Sequence, residues 1–420
     1  MSVPKLRFPE FQDAPEWEEK KLGEICNFIR GPFGGSLKKD IFVKDGYAVY
    51  EQSHAIHQNF YSFRYFISKE KFTELKRFSV HPDDIIMSCS GTMGKFAIIP
   101  KGAKSGVINQ ALLKLTVKKG LDIRFIKAVL ELPNNQEQLL SQSAGGAIKN
   151  VVSVEQIKEL GLYIPSPPEQ QKIADCLSSI DELIAAQSQK LATLKAHKKG
   201  LQQQLFPAEG ETLPQLRFPE FQDAPEWEEN TLGNVLTEHK LKNDGKSEVY
   251  SVSVHKGIIN QIEHLGRSYS AADTSKYNLV KPYDIVYTKS PTGDFPFGII
   301  KQSFNNYNVI VSPLYGVFSP ANKYLGYVLH AYFESPTRTN NFLEPIVNKG
   351  AKNTILISNE TFLSKEIFLP INVQEQQKIA DCLSSIDELI AAQSQKLATL
   401  KAHKKGLLQQ LFPAPDEVPG

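Results

Sequence analysis

Cysteine is scarce in this sequence. Cys26, Cys89, Cys176 and Cys382 are too few and too scattered for a disulfide framework or a CxxC-type zinc site, so a reducing, cytoplasmic setting is expected. Long apolar runs are missing too. No window of about 18 uninterrupted apolar residues occurs, and no membrane span is expected. The opening residues, MSVPKLRFPEFQDAPEWEE, are acidic and broken by proline, unlike a secretory signal. There is little excess of charge of either sign. The 48 Lys+Arg against 46 Asp+Glu leave a formal charge of +2, which argues weakly against a nucleic-acid binder. The remainder, 41% hydrophobic and 22% charged over 420 residues, describes a globular protein of two or three domains.

Catalytic signatures are also lacking. Gly91-Thr92-Met93-Gly94-Lys95-Phe96 looks like a phosphate loop, but Lys95 is followed by Phe and the spacing is wrong for GxxxxGK[ST]. No GxGxxG follows a strand-like run, so neither a dinucleotide nor a methyl-donor fingerprint is present. The tetrapeptide of amino-methylating enzymes, Asn/Asp-Pro-Pro-aromatic, does not occur; Ser166-Pro167-Pro168-Glu169 reads as a helix start. No acid-x-Lys nuclease pattern follows Asp84, and the nine histidines form no HExxH or His/Cys cluster. The chain is expected to carry no active site, metal or cofactor of its own.

What the sequence does have is a duplication. LRFPEFQDAPEWEE occurs at Leu6–Glu19 and, letter for letter, at Leu216–Glu229. EQQKIADCLSSIDELIAAQSQKLATLKAHKKGL occurs at Glu169–Leu201 and again at Glu375–Leu407. Between these identical segments lie two regions, about 20–165 and 230–371, that share only landmarks. Asp84-Ile85-Ile86 resembles Asp284-Ile285-Val286, Ala97-Ile98-Ile99 resembles Gly298-Ile299-Ile300, and Gly146–Asn150 resembles Gly350–Asn353. Two copies of one frame holding different inserts suggest one task performed twice on different targets.

The second repeated segment is helical. Ile173, Leu177, Ile180, Ile184, Gln187, Leu191, Leu194, Lys198, Leu201 and Leu205 alternate at 4-3 spacing, a coiled-coil seam of more than four heptads. The second copy repeats it with Ile379, Leu383, Ile386, Ile390, Gln393, Leu397, Leu400, Lys404, Leu407 and Leu411. Pro167 and Pro168 end the preceding strand, Glu169 occupies the first turn, and Pro207 ends the helix. Acids (Asp175, Asp181, Glu182) crowd the first half and lysines (Lys190, Lys195, Lys198, Lys199) the second. Antiparallel pairing sets acid against base, whereas parallel pairing sets like against like. From Ile173 to Leu205 the rise is about 48 Å at about 1.5 Å per residue, or about 14 base pairs of B-form DNA. The helix pair thus reads as a ruler. The alternative is two helices each packed into its own domain.

Both variable regions read as mixed α/β (α+β) domains. Short apolar runs (Asp84–Met87, Phe96–Ile99, Ala111–Val117, Ile285–Tyr287) alternate with turns, one helix is expected at Ile123–Leu132 with a counterpart near Lys323–Phe333, and each domain closes on a strand running into proline (Gly161–Pro165; Glu366–Pro370). From Ile85 to Leu121 there are six lysines (Lys95, Lys101, Lys104, Lys114, Lys118, Lys119) and no acid. Basic Gly/Asn-rich loops recur in both regions. Glycine lets a backbone approach a phosphate, lysine neutralises it, and Asn or Gln can read base edges. The candidate DNA-contacting residues are Gly34, Gly35, Ser36, Lys38 and Lys39 in GPFGGSLKK, Thr92 and Lys95, Asn109 and Gln110, and Lys149 and Asn150 in SAGGAIKN. In the second region they are Lys240 and Lys242, Lys289 and Thr292 in TKSPTG, Asn306 and Tyr307 in NNYN, and Lys349 and Lys352 in NKGAKN.

The order of repeated and variable segments, the helix starts PSPPEQQKIADCLSSIDELI and NVQEQQKIADCLSSIDELI, and the EFQDAPEWEEKKLGEI entry to a variable domain together resemble the specificity subunit of type I restriction-modification systems. The resemblance spans essentially the whole chain. It implies target-recognition domains at 1–166 and 208–371 and spacer helices at 167–207 and 372–413. It also implies a bipartite, asymmetric double-stranded DNA site, with the antiparallel helices fixing the unspecified gap. The expected partners are two adenine methyltransferase subunits and, for restriction, two translocase-nuclease subunits, which would use S-adenosylmethionine, ATP and Mg. The competing reading is a coiled-coil adaptor presenting two divergent protein-binding domains; a third is an enzyme without a recognisable motif.

Overall fold

The structure is a computed structural model that describes residues 3–141, 153–349 and 355–413. The chain divides into two compact units. Unit 1 comprises residues 1–188 with 396–420, and unit 2 comprises 189–395. The division cuts each long helix (Pro167–Leu205 and Val373–Gln410) near its middle, so each unit owns half of both.

Each unit is built on the same frame. In unit 1 the strand Glu18–Lys21 pairs antiparallel with Gly161–Ile164, and in unit 2 Glu228–Thr231 pairs with Glu366–Leu369. A four-stranded antiparallel sheet follows, ordered Cys26–Arg30, Leu112–Val117, Ile85–Ser88, Phe96–Ile98. Its counterpart is Leu236–Glu238, Gly316–Pro320, Ile285–Tyr287, Ile300–Gln302. The expected helices are present at Ile123–Leu130 and Lys323–Phe333, capped by the side chains of Asp122 and Asn322. The second layer differs. Unit 1 adds a four-stranded sheet with one parallel pair, Tyr47–Tyr50 beside Gly106–Ile108. Unit 2 has a hairpin, Tyr250–Ser253 with Gly257–Asn260, and a separate pair, Asn278–Val280 with Val309–Val311.

One landmark alignment is corrected by the register. Backbone bonds join Ile99 to Asp83 and Asp84, and Ser303 to Tyr283 and Asp284, so Ile99 corresponds to Ser303. The Gly298–Ile300 resemblance was displaced because the loop after Tyr287 is longer than the one after Met87.

The repeated segments lock together identically in both units. Glu169, 1% exposed, accepts Arg7 Nε at 2.7 Å, Arg7 Nη2 at 2.8 Å and Trp17 Nε1 at 3.3 Å. Glu375 accepts Arg217 Nε and Nη2, both at 2.8 Å, and Trp227 Nε1 at 3.2 Å. The first-turn glutamate is therefore a buried clamp that fixes the helix start to the first repeated segment. Pro167 and Pro168 begin the helix as well as ending the strand, since an N-terminal turn needs no proline N–H.

The helices run antiparallel. In unit 1 Lys404 bonds Asp181 at 2.6 and 2.8 Å, and in unit 2 the equivalent Lys198 meets Asp387 at 2.6 Å. Along the seam Ile173, Leu177, Ile180, Ile379, Leu383 and Ile386 are buried; Ile184, Leu191, Leu194, Ile390, Leu397 and Leu400 are half-buried. Off the seam, Leu183 and Leu389 are exposed. The ends of the seam join the domain cores. Ile173 and Leu177 pack with Trp17, Leu411 and Phe412 in unit 1, and Ile379 and Leu383 with Trp227, Leu205 and Phe206 in unit 2. Each helix is thus a core element as well as a member of the helix pair.

Candidate nucleic-acid interface

In unit 1 the register brings four strand ends to one edge of the central sheet. Arg30 pairs with Leu113, Ser88 with Leu112, and Met87 with Phe96. The connections leaving this edge are Gly31 onward, Cys89–Lys95 and Asn109–Ala111, which carry most of the candidate residues of this unit. Gly31 is required here, because a Cβ would lie 1.8 Å from the Asn109 carbonyl oxygen. The Cys89–Lys95 loop is cinched by Ser88, whose Oγ donates to the Thr92 carbonyl at 2.7 Å and accepts Lys95 N at 3.0 Å. Thr92, Lys95, Gln110, Lys38 and Lys39 stand exposed, while Gly34–Ser36 forms a 3-10 turn.

Not every candidate side chain is free to reach out. Asn109 Oδ1 accepts Ala111 N at 3.0 Å, so it shapes its own turn. Lys114 is 4% exposed, donating to the Ser79 carbonyl at 2.5 Å with Asp84 3.5 Å away. It faces the interior because its strand is buried on both sides. Lys104 pairs with Asp45 at 2.7 Å. The lysine-rich stretch is thus part surface and part scaffold.

The corresponding edge of unit 2 holds a cavity of about 230 Å3 lined by Lys240, Lys242, Lys289, Glu238, Asn278 and Asn359. Three candidate lysines from two sequence segments converge there. Lys240 and Lys289 are left-handed, with φ of 54° and 52°, a conformation that costs a non-glycine residue about 1–3 kcal/mol and tends to mark working sites. Burial pushes the Lys289 ammonium below its ordinary pKa, and Glu238 partly offsets this. Lys242 donates to Asn278 Oδ1 at 2.5 Å. Thr292 is exposed farther along its loop.

Asn306 and Tyr307 do not join this cluster. Asn278 on the cavity wall pairs with Val311, whereas these two residues precede Val309 at the other end of that strand, where Tyr307 Oη bonds Tyr250 Oη at 2.7 Å. Lys349 ends the short strand Asn348–Lys349. Lys149, Asn150 and Lys352 lie outside the described residues.

Sequence reasoning missed several residues at these edges. Arg30 donates to the Gln110 carbonyl at 3.3 Å, and Gln52 Oε1 accepts Ser90 Oγ at 3.3 Å. In unit 2 Asn278 and Asn359 arrive from segments without the glycine-rich, basic pattern of the candidate loops, although Lys276 and Lys281 flank Asn278. Arg30, adjoining the GPFGGSLKK loop, was the one with a readable signal.

The type I restriction modification DNA specificity domain matches residues 15–196 and again 226–402. The chain belongs to this family. Its role is that of a DNA sequence-recognition component of type I restriction-modification. The chain is similar to the type I restriction enzyme MjaVIII specificity subunit of Methanocaldococcus jannaschii, 24% identical over 433 residues, covering 97% of this chain and 93% of the relative. Its fold is similar to that of the type I restriction-modification S subunit from M. genitalium, with a TM-score of 0.63 at 16% identity, over 98% of this chain and 100% of the other. A chain from a structure of the type I R-M system matches with a TM-score of 0.50 at 14% identity, over 96% and 98%. Among the described residues no helix is long and apolar enough to cross a membrane.

Proposed function

We propose that this family member reads a bipartite, asymmetric double-stranded DNA sequence, each unit contacting one half through the loop edge of its central sheet. The observation that carries the reading is that independent variable loops leave the same edge of a shared sheet in both units, and that these edges hold exposed or cavity-lining cations. Phosphate contacts would fall to Lys38, Lys39, Lys95, Lys240, Lys242 and Lys289, and base-edge contacts to Thr92, Gln110 and Thr292. Contacts by Lys149, Asn150 and Lys352 belong to the same proposal.

The chain itself would be non-catalytic. The identical clamps and helix starts, placed once in each unit, offer equivalent docking surfaces for two copies of one adenine methyltransferase subunit. Two translocase-nuclease subunits would join for restriction. S-adenosylmethionine, ATP and Mg would be bound by those partners in the cytoplasm. The antiparallel helices would set the unspecified gap. The test is methylome sequencing of cells co-expressing the chain with its methyltransferase. A single two-part adenine motif that vanishes when the chain is omitted is expected; methylation that persists without the chain refutes the reading.

A further inference from the structure

Phe33 is 93% exposed, at the tip of a turn leaving the loop edge of unit 1. A phenylalanine ring in water forgoes the burial that normally places this residue in a core. Among the described residues of the unit Tyr61, 97% exposed, is the other ring left as open, and its hydroxyl suits it to water, whereas Phe42 stacks on Tyr65 at 4.3 Å and Tyr47 on Phe72 at 3.9 Å. The turn that carries Phe33 is anchored. Gly31 N donates to the Leu112 carbonyl at 3.0 Å, the adjoining Asn109 backbone leaves no room for a Cβ at residue 31, and Pro32 is buried. On its other side Ser36 N donates to the Phe33 carbonyl at 2.9 Å. The ring is thus presented by a backbone fixed before and after it.

Its chemical surroundings select the occupant. Arg30 precedes it and the exposed Lys38 and Lys39 follow, with Asp40 the single acid in this stretch. An apolar protein partner would gain nothing from three cations in the stretch that carries the ring, whereas stacked bases between phosphates match both features. We propose that Phe33 is a wedge that packs its ring against a base step of the DNA half-site bound by unit 1, with Arg30, Lys38 and Lys39 on the flanking phosphates. Aromatic side chains inserted between base steps unstack and kink the duplex, and every base offers a face on which a ring can stack. The equivalent segment of unit 2, His239–Asn243, carries no aromatic residue other than histidine, so the wedge belongs to one half-site only. The inference rests on the DNA-reading function proposed above.

The two tryptophans, Trp17 and Trp227, are 3% and 2% exposed, so Phe33→Trp adds one solvent-facing fluorophore over a constant background. The full chain is assembled with its methyltransferase subunit and titrated with a duplex carrying the methylome-mapped motif and with a shuffled duplex. The expected results are quenching of the added tryptophan by the motif duplex, and about tenfold weaker motif binding by Phe33→Ala, with an unchanged salt slope. Wild-type affinity in Phe33→Ala, or an emission unmoved by the motif duplex, overturns the wedge. A blue shift on adding the methyltransferase alone, retained with DNA, also overturns it in favour of a protein contact. Failure of the wild-type complex to prefer the motif duplex would instead overturn the DNA-reading function itself.

Discussion

Lys198 and Lys404 occupy the same place in two identical stretches of sequence, yet they should not be equivalent. Among the described residues Lys404 pairs with Asp181, with side chains 27% and 54% exposed, and an exposed pair of this kind contributes about 0–1 kcal/mol. Lys198, its side chain 9% exposed, is held at 2.6 Å by both Asp387 and Glu334. Gln202 donates to Glu334 at 2.6 Å, and Tyr327 Oη donates to Asp387. Removing the ammonium leaves two carboxylates together, with Lys301 at 3.7 Å from Glu334 as partial compensation. Breaking a buried pair typically costs about 3–5 kcal/mol, and the partial exposure of Asp387 places Lys198→Met near about 3 kcal/mol. Lys404→Met should cost no more than about 1 kcal/mol. Trp17 reports on the core of unit 1 and Trp227 on that of unit 2, so urea unfolding in Trp227→Phe and Trp17→Phe backgrounds follows each unit separately. The unit 2 midpoint should fall by about 1 M or more and the unit 1 midpoint by a small fraction of that. Equal shifts, or a Lys198→Met effect below about 0.5 kcal/mol, would refute the network.

Three further outcomes follow from the geometry. Glu169→Ala and Glu375→Ala each remove the carboxylate from an arginine that keeps its bonds to two carbonyls (Ala14 and Pro15, or Ala224 and Pro225), and should destabilise their own unit by about 2–3 kcal/mol, to similar extents; strongly unequal losses by the same unfolding assay would break the equivalence of the clamps. Burial holds His330 below its ordinary pKa, with Lys301 and Lys198 acting in the same sense and Glu334 opposing. Unfolding therefore takes up a proton, so unit 2 should lose stability as pH falls below about 6.5, whereas His330→Gln should flatten the decline. Glu334 acts at lower pH: burial would raise its carboxyl, but His330, Lys198 and Lys301 outweigh this and hold it far below the usual range, so its stabilisation is full above the ordinary value of 4.5 and is lost progressively as pH falls below it. Lys240→Ala with Lys289→Ala should weaken binding to motif and shuffled duplexes alike and reduce the salt slope by about 2, at about 0.9 per phosphate; a changed motif would mean these lysines read bases.

The duplication was legible because the repeats are identical, and the helix polarity because acids and lysines are segregated along one segment. Glu169 read as a first-turn acid, since the Arg7 and Trp17 that make it a clamp lie more than 150 residues away. Lys114 counted toward a basic surface, because local composition does not say that its strand is covered on both faces. Lys240 and Lys289 were visible singly; only the sheet register makes them neighbours. The network around Lys198 was hidden for the same reason, as Glu334, Lys301 and His330 come from the variable region and reach a lysine whose own surroundings in sequence are those of Lys404.

The most direct measurement exchanges residues 20–160, the variable part of unit 1, for the matching segment of another family member, and maps the methylome of cells carrying the methyltransferase. One half of the two-part motif should change while the other half is retained. A motif altered in both halves, or in neither, would contradict the assignment of one half-site to each unit.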